Sequence, residues 1–237
     1  MRLYVVDVFT SRRFSGNQAG VALLGEGETF PGPEFMQALA AELKHSETVF
    51  LQPQSADRFQ LRYFTPAGEV DLCGHATIAA FTALREQEGL GEGTYTAVTP
   101  AGALPIQVEH EMVWMELAPP RVLRTLTDQE AEAVYQAYGL SLIHRPGGLP
   151  VQAVSAGLAD VLLPVNSRAA LDGALQDRDE VKRLSEQLDV VGVHMFWADP
   201  IGPVSAHCRN FAPRYAIDEE AATGTAISAP ARRATSM

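Results

Sequence analysis

The chain has few cysteines, a shortage of basic side chains relative to acidic ones, and no long hydrophobic run. Its 237 residues include 2 cysteines, which form no disulfide framework, so a reducing cytoplasmic location is expected. With 18 Lys and Arg against 29 Asp and Glu, the formal net charge is −11. Nucleic-acid and anionic-membrane partners are therefore not expected, because phosphate binding needs clustered basic side chains. No apolar run approaches the roughly 20 residues that span a bilayer.

Short strand-like and helix-like segments follow one another along the chain. Apolar runs rich in branched and aromatic residues predict strands at 2–9, 19–24, 47–52, 58–65, 95–99, 104–109, 112–117, 151–155, 161–165 and 192–199. Apolar residues at helical spacing predict helices at 33–44, 77–90, 127–139 and 177–189. Thr127 and Glu130 have the spacing of a capping box at the start of the third helix.

This order of segments lacks a strict strand–helix–strand rhythm, which predicts the α+β class rather than a doubly wound sheet. The strongest break in the pattern is the pair Pro119-Pro120, which follows a predicted antiparallel meander. The sequence therefore predicts two domains, at 1–118 and 119–237.

Two stretches of the chain resemble each other, RYFTPAGEVDLCGHATIAA at 62–80 and RNFAPRYAIDEEAATGTAISA at 209–229. The matched Arg, Phe and Pro residues are 147 positions apart, and Cys73-Gly74-His75-Ala76 then matches Thr223-Gly224-Thr225-Ala226. The pattern predicts two copies of one supersecondary unit, each with a helix that starts at Gly-His or Gly-Thr. Helix starts expose N–H groups and partial positive charge, which suits a carboxylate ligand.

These stretches, with GNQAGVAL and HSETVFL, resemble the hallmark motifs of the phenazine-biosynthesis PhzF-like family, which has the diaminopimelate-epimerase-like fold. The resemblance runs from residue 3 to about residue 229. It implies two pseudo-symmetric lobes, each a curved mixed or antiparallel sheet wrapped round a central helix, with the active site between the lobes. It also implies a cofactor-independent isomerase that moves a proton on a small carboxylate substrate, with no cofactor and no metal.

The resemblance carries three catalytic assignments. The family's acid/base glutamate falls on Glu47, and the histidine of its glycine-histidine pair falls on His75. The aspartate of its EDPATGS motif falls on Glu220, where the side chain is longer by one methylene. Each has a plainer interpretation, since Glu47 could lie on a solvent face and His75 could cap its helix. His194, which matches Glu47 in the repeat, is interpreted as a packed histidine.

Six further residues are expected to contact the substrate: Asn17, Cys73, Gly74, Thr223, Gly224 and Thr225. Asn17 could equally turn a loop, and Cys73 could be an inert buried thiol. Zinc binding by Cys73, His75, His207 and Cys208 is not expected, because no pair has a recognised structural spacing.

Two alternative functions stay open. Related racemases use one cysteine from each half of the chain. Thr223 occupies the second of these positions here, which argues against a mechanism with two thiols. The first alternative is therefore a racemase, epimerase or dehydratase that uses Cys73 as its single base. The repeat also ends twelve residues after Thr225, so the second lobe is expected to be incomplete. That favours an inactive paralogue that binds a small acid or a partner, and an exposed lobe predicts a homodimer.

Overall fold

The computed structural model describes residues 1–12, 14–117, 119–199, 201 and 204–220. The chain folds into two compact units, the first at Met1–Glu116 and the second at Leu117–Met237. Both contain a sheet and packed helices, which confirms the predicted α+β class. Within the described ranges, no helix has the length and apolar character needed to cross a bilayer. The predicted contacts Thr223, Gly224 and Thr225 lie outside the described residues.

The first unit contains an eight-stranded sheet. Its strands are β1 (Arg2–Val8), β2 (Asn17–Leu23), β3 (Glu47–Ser55), β4 (Arg58–Phe64), β5 (Glu69–Val70), β6 (Gly93–Thr99), β7 (Gly102–Glu109) and β8 (Met112–Met115). Their order is β1-β2-β3-β4-β6-β7-β8, with β5 also paired to β4. The pairs β2–β3 and β4–β6 are parallel, and the other described pairs are antiparallel.

Helix α2 (Gly74–Glu88) is the central helix of the first unit. Its buried residues lie on most of its circumference, as in a helix enclosed by protein. It contacts β1, β2 and β3 and also β8 at the far edge, so the sheet curls around it. Gly89 ends the helix in a left-handed conformation, φ 72°, which glycine adopts without strain.

Helix α1 (Pro33–Leu43) covers the other face of this sheet. Pro33 suits its first turn, where the missing N–H has no partner in a helix anyway. Met36 and Ala40, one turn apart, are buried in a cluster with Phe50 and Phe64. The first unit therefore has a helix on each face of its sheet.

The second unit contains a six-stranded sheet in the order β14-β13-β12-β11-β10-β9. Its strands are β9 (Arg121–Thr125), β10 (Gln152–Ser155), β11 (Ala159–Pro164), β12 (Gly192–Ala198), β13 (Ala206–Ala212) and β14 (Ile217–Glu220). Its helices are α3 (Asp128–Gln136), α4 (Arg168–Gly173) and α5 (Arg178–Leu188), and 3-10 turns lie at Leu142–His144 and Pro213–Tyr215. The pair β11–β12 is parallel.

The main apolar cluster of the second unit includes residues of α3, α4 and α5. Tyr135, Val181 and Leu184 from these helices pack with Met195 and Phe211 from the sheet. The predicted capping box of α3 is confirmed, because the Thr127 hydroxyl accepts from the Glu130 N–H and the Glu130 carboxylate accepts from the Thr127 N–H. The opposite face of the sheet has a smaller cluster of Val154, Leu162 and Phe196.

The strands β5, β9, β13 and β14, the helix α4 and the two 3-10 turns are not among the elements predicted above. All five residues of β9 are exposed, so this strand has no apolar alternation to reveal it. Strand β5 has two residues, and α4 has six, which is too short for a helical period to be recognised. Strand β9 pairs with β10, which follows α3 in the chain, whereas β5 pairs with its neighbour β4.

Candidate functional site

Glu47 is the first residue of β3, and its side chain points toward α2. Val49 and Leu51 point to the same face of the sheet as Glu47, and both belong to the cluster around α2. The side chain is buried, with 8% of the residue exposed. The interpretation of Glu47 as a charge on a solvent face is therefore wrong.

His75 is the second residue of α2 and lies beside Glu47. Its Nε2 is 3.5 Å from Glu47 Oε2 and 3.4 Å from the hydroxyl oxygen of Ser46. Burial lowers the pKa of His75 to about 4, although a hydrogen bond with the Gln18 backbone acts in the opposite direction. The imidazole is therefore neutral at pH 7, and its contact with Glu47 is not an ion pair.

Cys73 is the N-cap residue of α2, and it lies on the other side of the same imidazole. Its sulfur is 3.3 Å from His75 Nδ1, and the residue is buried. The ring of His75 thus has the thiol of Cys73 at one nitrogen and the carboxyl group of Glu47 at the other. The Cys73 contact is within hydrogen-bond distance, and the Glu47 oxygen at 3.5 Å is a close polar contact, so the three groups are in the order that a proton relay needs.

The same three residues are the candidate metal ligands. One ligand atom from each of Glu47, Cys73 and His75 lies within 4.8 Å of the other two. However, the thiol and the carboxylate approach different nitrogens of His75, whereas one ion would bind through a single nitrogen. The arrangement therefore fits a proton relay better than a metal cage.

A buried hydrogen-bond chain fixes the start of α2. The Thr77 hydroxyl donates to the Cys73 carbonyl at 2.7 Å, so the Tyr63 hydroxyl is the donor in its own 2.7 Å bond to Thr77. Burial raises the pKa of Tyr63 well above its ordinary value, so the phenol keeps its proton. This chain ties β4 to the turn of helix that carries Cys73 and His75.

Asn17 and Gly74 lie at the ends of elements that border this site. Asn17 is the first residue of β2, buried, and two positions before Ala19, the strand partner of Glu47. Because alternate residues share a face, Asn17 is on the face of the sheet that carries Glu47. Gly74 is the first residue of α2, where no side chain caps the helix.

Glu220 belongs to the second unit. It ends the described part of β14 and pairs across the strands with Asn210. The structure thus brings Glu47, Cys73 and His75 together and places Asn17 on the same face of the sheet. For Glu220 it shows a half-buried position at the edge of the second sheet.

Sequence analysis missed two groups that contact the candidate residues. They are the Ser46 hydroxyl and the Gln18 backbone, both next to His75. Ser46 directly precedes Glu47, but a serine beside a strand carries no distinctive signal. His194 was interpreted as packed, and it is completely buried, with its Nδ1 3.2 Å from Asn210 Oδ1.

Comparison with known proteins gives a consistent result. The family model described as phenazine biosynthesis-like protein, PhzC-PhzF, matches residues 6–232. The chain is 38% identical to a protein of Deinococcus radiodurans named as an uncharacterized isomerase, over 93% of this chain and 72% of the relative. It is 33% identical to an uncharacterized isomerase, YddE, of Escherichia coli O157:H7, over 95% of this chain and 76% of the relative. A crystal structure of a Bacillus anthracis PhzF-family protein superposes with TM-score 0.82 and 28% identity, over 95% of this chain and 76% of that one.

Proposed function

The chain belongs to the phenazine biosynthesis-like (PhzC-PhzF) protein family, and from this membership we propose that it is an isomerase of a small carboxylate substrate. Glu47 is the acid/base group that moves the proton. The observation that carries this proposal is the buried contact of Glu47 with a neutral His75, at 3.5 Å. The relatives described as isomerases support the reaction class.

The reaction needs only proton transfer. Glu47 takes a proton from a carbon that is acidified by conjugation with the substrate carboxylate, and the electron pair of the broken C–H bond is delocalised into that system. Glu47 then gives a proton, which can exchange with solvent, to another carbon, so no electrons leave the substrate and no cofactor is required. His75 is neutral at pH 7 and lies 3.5 Å from Glu47 Oε2, and in this proposal it relays protons to the carboxyl group.

The substrate carboxylate binds at the start of α2 in this proposal. The helix begins without a side-chain cap, and the N–H groups of a first helical turn bind anions. Gly74 has no side chain that blocks a ligand, and Asn17 and Cys73 border the same place. We assign Thr223, Gly224 and Thr225 as further substrate contacts on the strength of the family motif, and Glu220 as a further catalytic residue that orients the substrate or relays protons.

Solvent exchange tests the proposal directly. Small aromatic and amino carboxylates are incubated with the protein in D₂O, and deuterium uptake is followed by NMR. Glu47→Gln keeps the shape of the side chain but cannot accept the proton, so exchange should fall by about 10²–10⁴-fold. Glu42→Gln is the matched control, because Glu42 is exposed on α1.

Two outcomes would contradict the proposal. One is exchange by Glu47→Gln at the wild-type rate. The other is a wild-type protein that binds a carboxylate in calorimetry but exchanges no hydrogen, which would favour the non-catalytic paralogue. A homodimer and a cytoplasmic location remain predictions; light scattering of the purified protein tests the first of them.

A second candidate is a single-thiol racemase, epimerase or dehydratase that uses Cys73. The distance of 3.3 Å between the Cys73 sulfur and His75 Nδ1 favours it, because imidazole can take the thiol proton. A thiolate is stabilised best beside a protonated imidazole, however, and His75 is neutral at pH 7. Cys73→Ser should therefore keep exchange within about tenfold of wild type, whereas a loss above about 100-fold would favour the thiol mechanism.

A further inference from the structure

The same pair of charged side chains occurs at matching positions of the two units. Arg62 on β4 binds Glu69 on β5 through two bonds, with Nε and Nη2 each 2.7 Å from a carboxylate oxygen. Arg209 on β13 binds Glu219 on β14 in the same way, at 2.8 and 2.9 Å. Glu219 follows Glu69 by 150 positions, which is also the offset between the Gly-His and Gly-Thr motifs of the predicted repeat. Two-bond pairs of this kind are the strong and geometrically specific form of a salt bridge.

Each of the two arginines also lies over an aromatic ring. The guanidinium carbon of Arg62 is 5.4 Å from the centroid of the Phe64 ring and 5.9 Å from that of Phe30. The guanidinium carbon of Arg209 is 4.9 Å from the centroid of the Phe211 ring. Cations are attracted to aromatic rings within about 6 Å of the centroid, and the planar guanidinium stacks on them. Both arginines are therefore held by a ring as well as by a carboxylate.

The pair of the first unit closes the hairpin of β4 and β5. Glu69 lies directly opposite Phe64, which packs in the cluster of α1. Because alternate strand residues share a face, Arg62 and Glu69 lie on the face of the sheet that α1 covers. Tyr63 and Val70, which lie opposite each other, are on the face of α2. The contact between Arg62 and Glu69 thus joins the two strands on the side away from α2.

This hairpin leads directly to the candidate site. Three residues separate Glu69 from Cys73, the N-cap of α2, and His75 is the second residue of the helix. On the face of α2, the hydrogen-bond chain that starts at Tyr63 ties β4 to the Cys73 carbonyl. On the other face, Arg62 ties β4 to β5. The segment between β4 and α2 is therefore held from both faces of the sheet, by adjacent residues of β4.

We propose that Arg62 and Glu69 form a positioning pair that fixes the segment between β4 and α2, and through it Cys73 and His75 at the start of the helix. The inference rests on the proposed function, in which the start of α2 binds the substrate carboxylate and His75 relays protons. Neither Arg62 nor Glu69 touches the substrate in this scheme, because both lie on the face of the sheet that α1 covers. Two bonds in one plane fix the direction of the contact as well as its length.

The matching pair of the second unit supports this interpretation. Arg209 Nη1 also donates to the carbonyls of Leu171 and Ala174 at the end of α4, at 3.0 and 2.8 Å. Glu219 directly precedes Glu220, which is assigned a catalytic role in the proposed function. The pair thus lies within a few residues of a proposed catalytic residue in each unit. This recurrence favours positioning over a contribution to stability alone.

NMR of the full-length protein tests the positioning pair without any substrate. ¹⁵N correlation spectra report the histidine rings, and the His75 signals are assigned by their loss in His75→Gln. Glu69→Gln keeps the shape of the side chain but leaves one oxygen to accept from two N–H groups, so it should shift the His75 ring signals. Glu180→Gln is the control, because Arg183 binds Glu180 through the same two nitrogens, at 2.8 and 2.6 Å, on the surface of α5. It should leave the His75 signals at their wild-type positions.

A graded variant separates positioning from folding. Arg62→Lys keeps the positive charge but has no planar fork, so it should shift the His75 signals in the same direction as Glu69→Gln and by less. Unchanged His75 signals in a folded Glu69→Gln protein would overturn the proposal, and unchanged signals in Arg62→Lys decide the point if only that variant folds. A shift in Glu180→Gln as large as that in Glu69→Gln would overturn it as well.

The solvent-exchange assay then separates this inference from the proposed function. If the wild type exchanges hydrogen into a carboxylate of the panel, Glu69→Gln should lower kcat/KM by about tenfold and raise KM, because a displaced helix start holds the carboxylate less well. A loss of folded protein would lower the apparent kcat and leave KM unchanged, and that result would overturn the proposal. If the wild type exchanges none, the proposed function fails, and the His75 signals still decide whether the pair positions the start of α2.

Discussion

In the first unit the buried polar residue Glu47 and the main apolar cluster share one face of the sheet, whereas in the second unit His194, which matches Glu47 in the repeat, lies on the face opposite the main cluster. Glu47 points to the same face of the sheet as Val49 and Leu51, which pack around α2. Met195, the neighbour of His194 in the strand, packs in the cluster of α3 and α5. Because adjacent strand residues point to opposite faces, His194 lies on the face with the smaller cluster. Among the residues that the structure describes, Glu47 and His75 are thus supported by the main cluster of their unit, and His194 and Asn210 lie on the side of the smaller cluster.

The order of strand pairing is the same in both units. Antiparallel, parallel, antiparallel and antiparallel pairs follow one another from β1 to β5 and again from β10 to β14. The registers differ, because Phe64 lies opposite Thr48 whereas the matching Phe211 lies opposite Val193 and not Met195. A shift of two residues keeps every side chain on its face. The repeat stays a prediction, but the comparison shows that a sequence match can indicate a face and still misplace a residue along the strand.

The two tryptophans of the chain offer a way to observe each unit separately. Trp114 lies on β8 in the first unit and Trp197 on β12 in the second. Proteins with Trp197→Phe or Trp114→Phe would each keep one reporter for denaturant unfolding followed by fluorescence. Losses in the free energy of unfolding are measured for each unit in these two backgrounds.

Removing a core ring should affect the first unit most. Phe81 on α2 is completely buried and packs edge-on against Phe59, with ring centroids 5.4 Å apart. Phe81→Ala should lower the free energy of unfolding seen by Trp114 by about 3–5 kcal/mol. Phe196→Ala, in the smaller cluster, should cost about 2 kcal/mol in the Trp197 transition. Equal losses in the two transitions would show that the smaller cluster is as tightly packed as the core around α2.

Acid should destabilise the first unit more than the second. Burial lowers the pKa of His75 and of His194 to about 4. The stability contributed by each neutral ring is present above pH 6.5 and is lost as the pH falls toward 4, on the order of 3 kcal/mol for each histidine. Asp160, with its pKa raised to about 6, acts in the opposite direction, since its contribution is present near pH 4 and is lost as the pH rises through 6.

The two effects therefore nearly cancel in the second unit, and the difference between the units is measurable. Between pH 6.5 and 4, the Trp114 transition should weaken more than the Trp197 transition. His75→Gln should remove the difference, and Asp160→Asn should make the second unit as sensitive to acid as the first. Equal pH slopes for the two transitions in the otherwise unchanged protein would contradict this assignment of charge states.

Breaking the hydrogen-bond chain at the start of α2 should have an intermediate effect. Thr77→Val leaves the buried Tyr63 hydroxyl without its acceptor and should cost about 2 kcal/mol in the Trp114 transition. Tyr63→Phe removes the donor but leaves the bond from Thr77 to the Cys73 carbonyl, and should cost about 1 kcal/mol. A larger cost for Tyr63→Phe than for Thr77→Val would reverse the inferred direction of donation.

Removing the cap of α3 should have the smallest effect, and only in the second unit. Thr127→Ala deletes the hydroxyl that accepts from the Glu130 N–H and should cost about 1 kcal/mol in the Trp197 transition. Thr127→Ser keeps the acceptor and serves as the control. If both variants unfold like the wild type, the capping box contributes nothing measurable to the stability of this unit.

The elements that sequence analysis predicted correctly are those with a local signal. Pro33 and the spacing of Met36 and Ala40 indicated α1, and Thr127 and Glu130 indicated the start of α3. Strand β9 was missed because its residues are exposed and carry no apolar alternation. Its pairing with β10 is what makes it a strand.

For the candidate site, sequence analysis supplied residues but no arrangement. Glu47 and His75 were chosen by resemblance to a family, and neither the Ser46 hydroxyl nor the neutral state of His75 followed from it. Their contact depends on the parallel pairing of β2 with β3 and on the packing of α2 against both strands. Likewise, His194 and Asn210 meet only through the register of β12 with β13.

The sequence by itself determined the helices and strands that have caps, periodic apolar spacing or strand alternation, because those signals act between neighbours in the chain. Only the tertiary structure decided that a thiol and a carboxyl group approach opposite sides of one imidazole, and that this imidazole is neutral. The physical reason is that contacts between distant segments, and the loss of water around a buried ring, arise from packing that no local pattern contains.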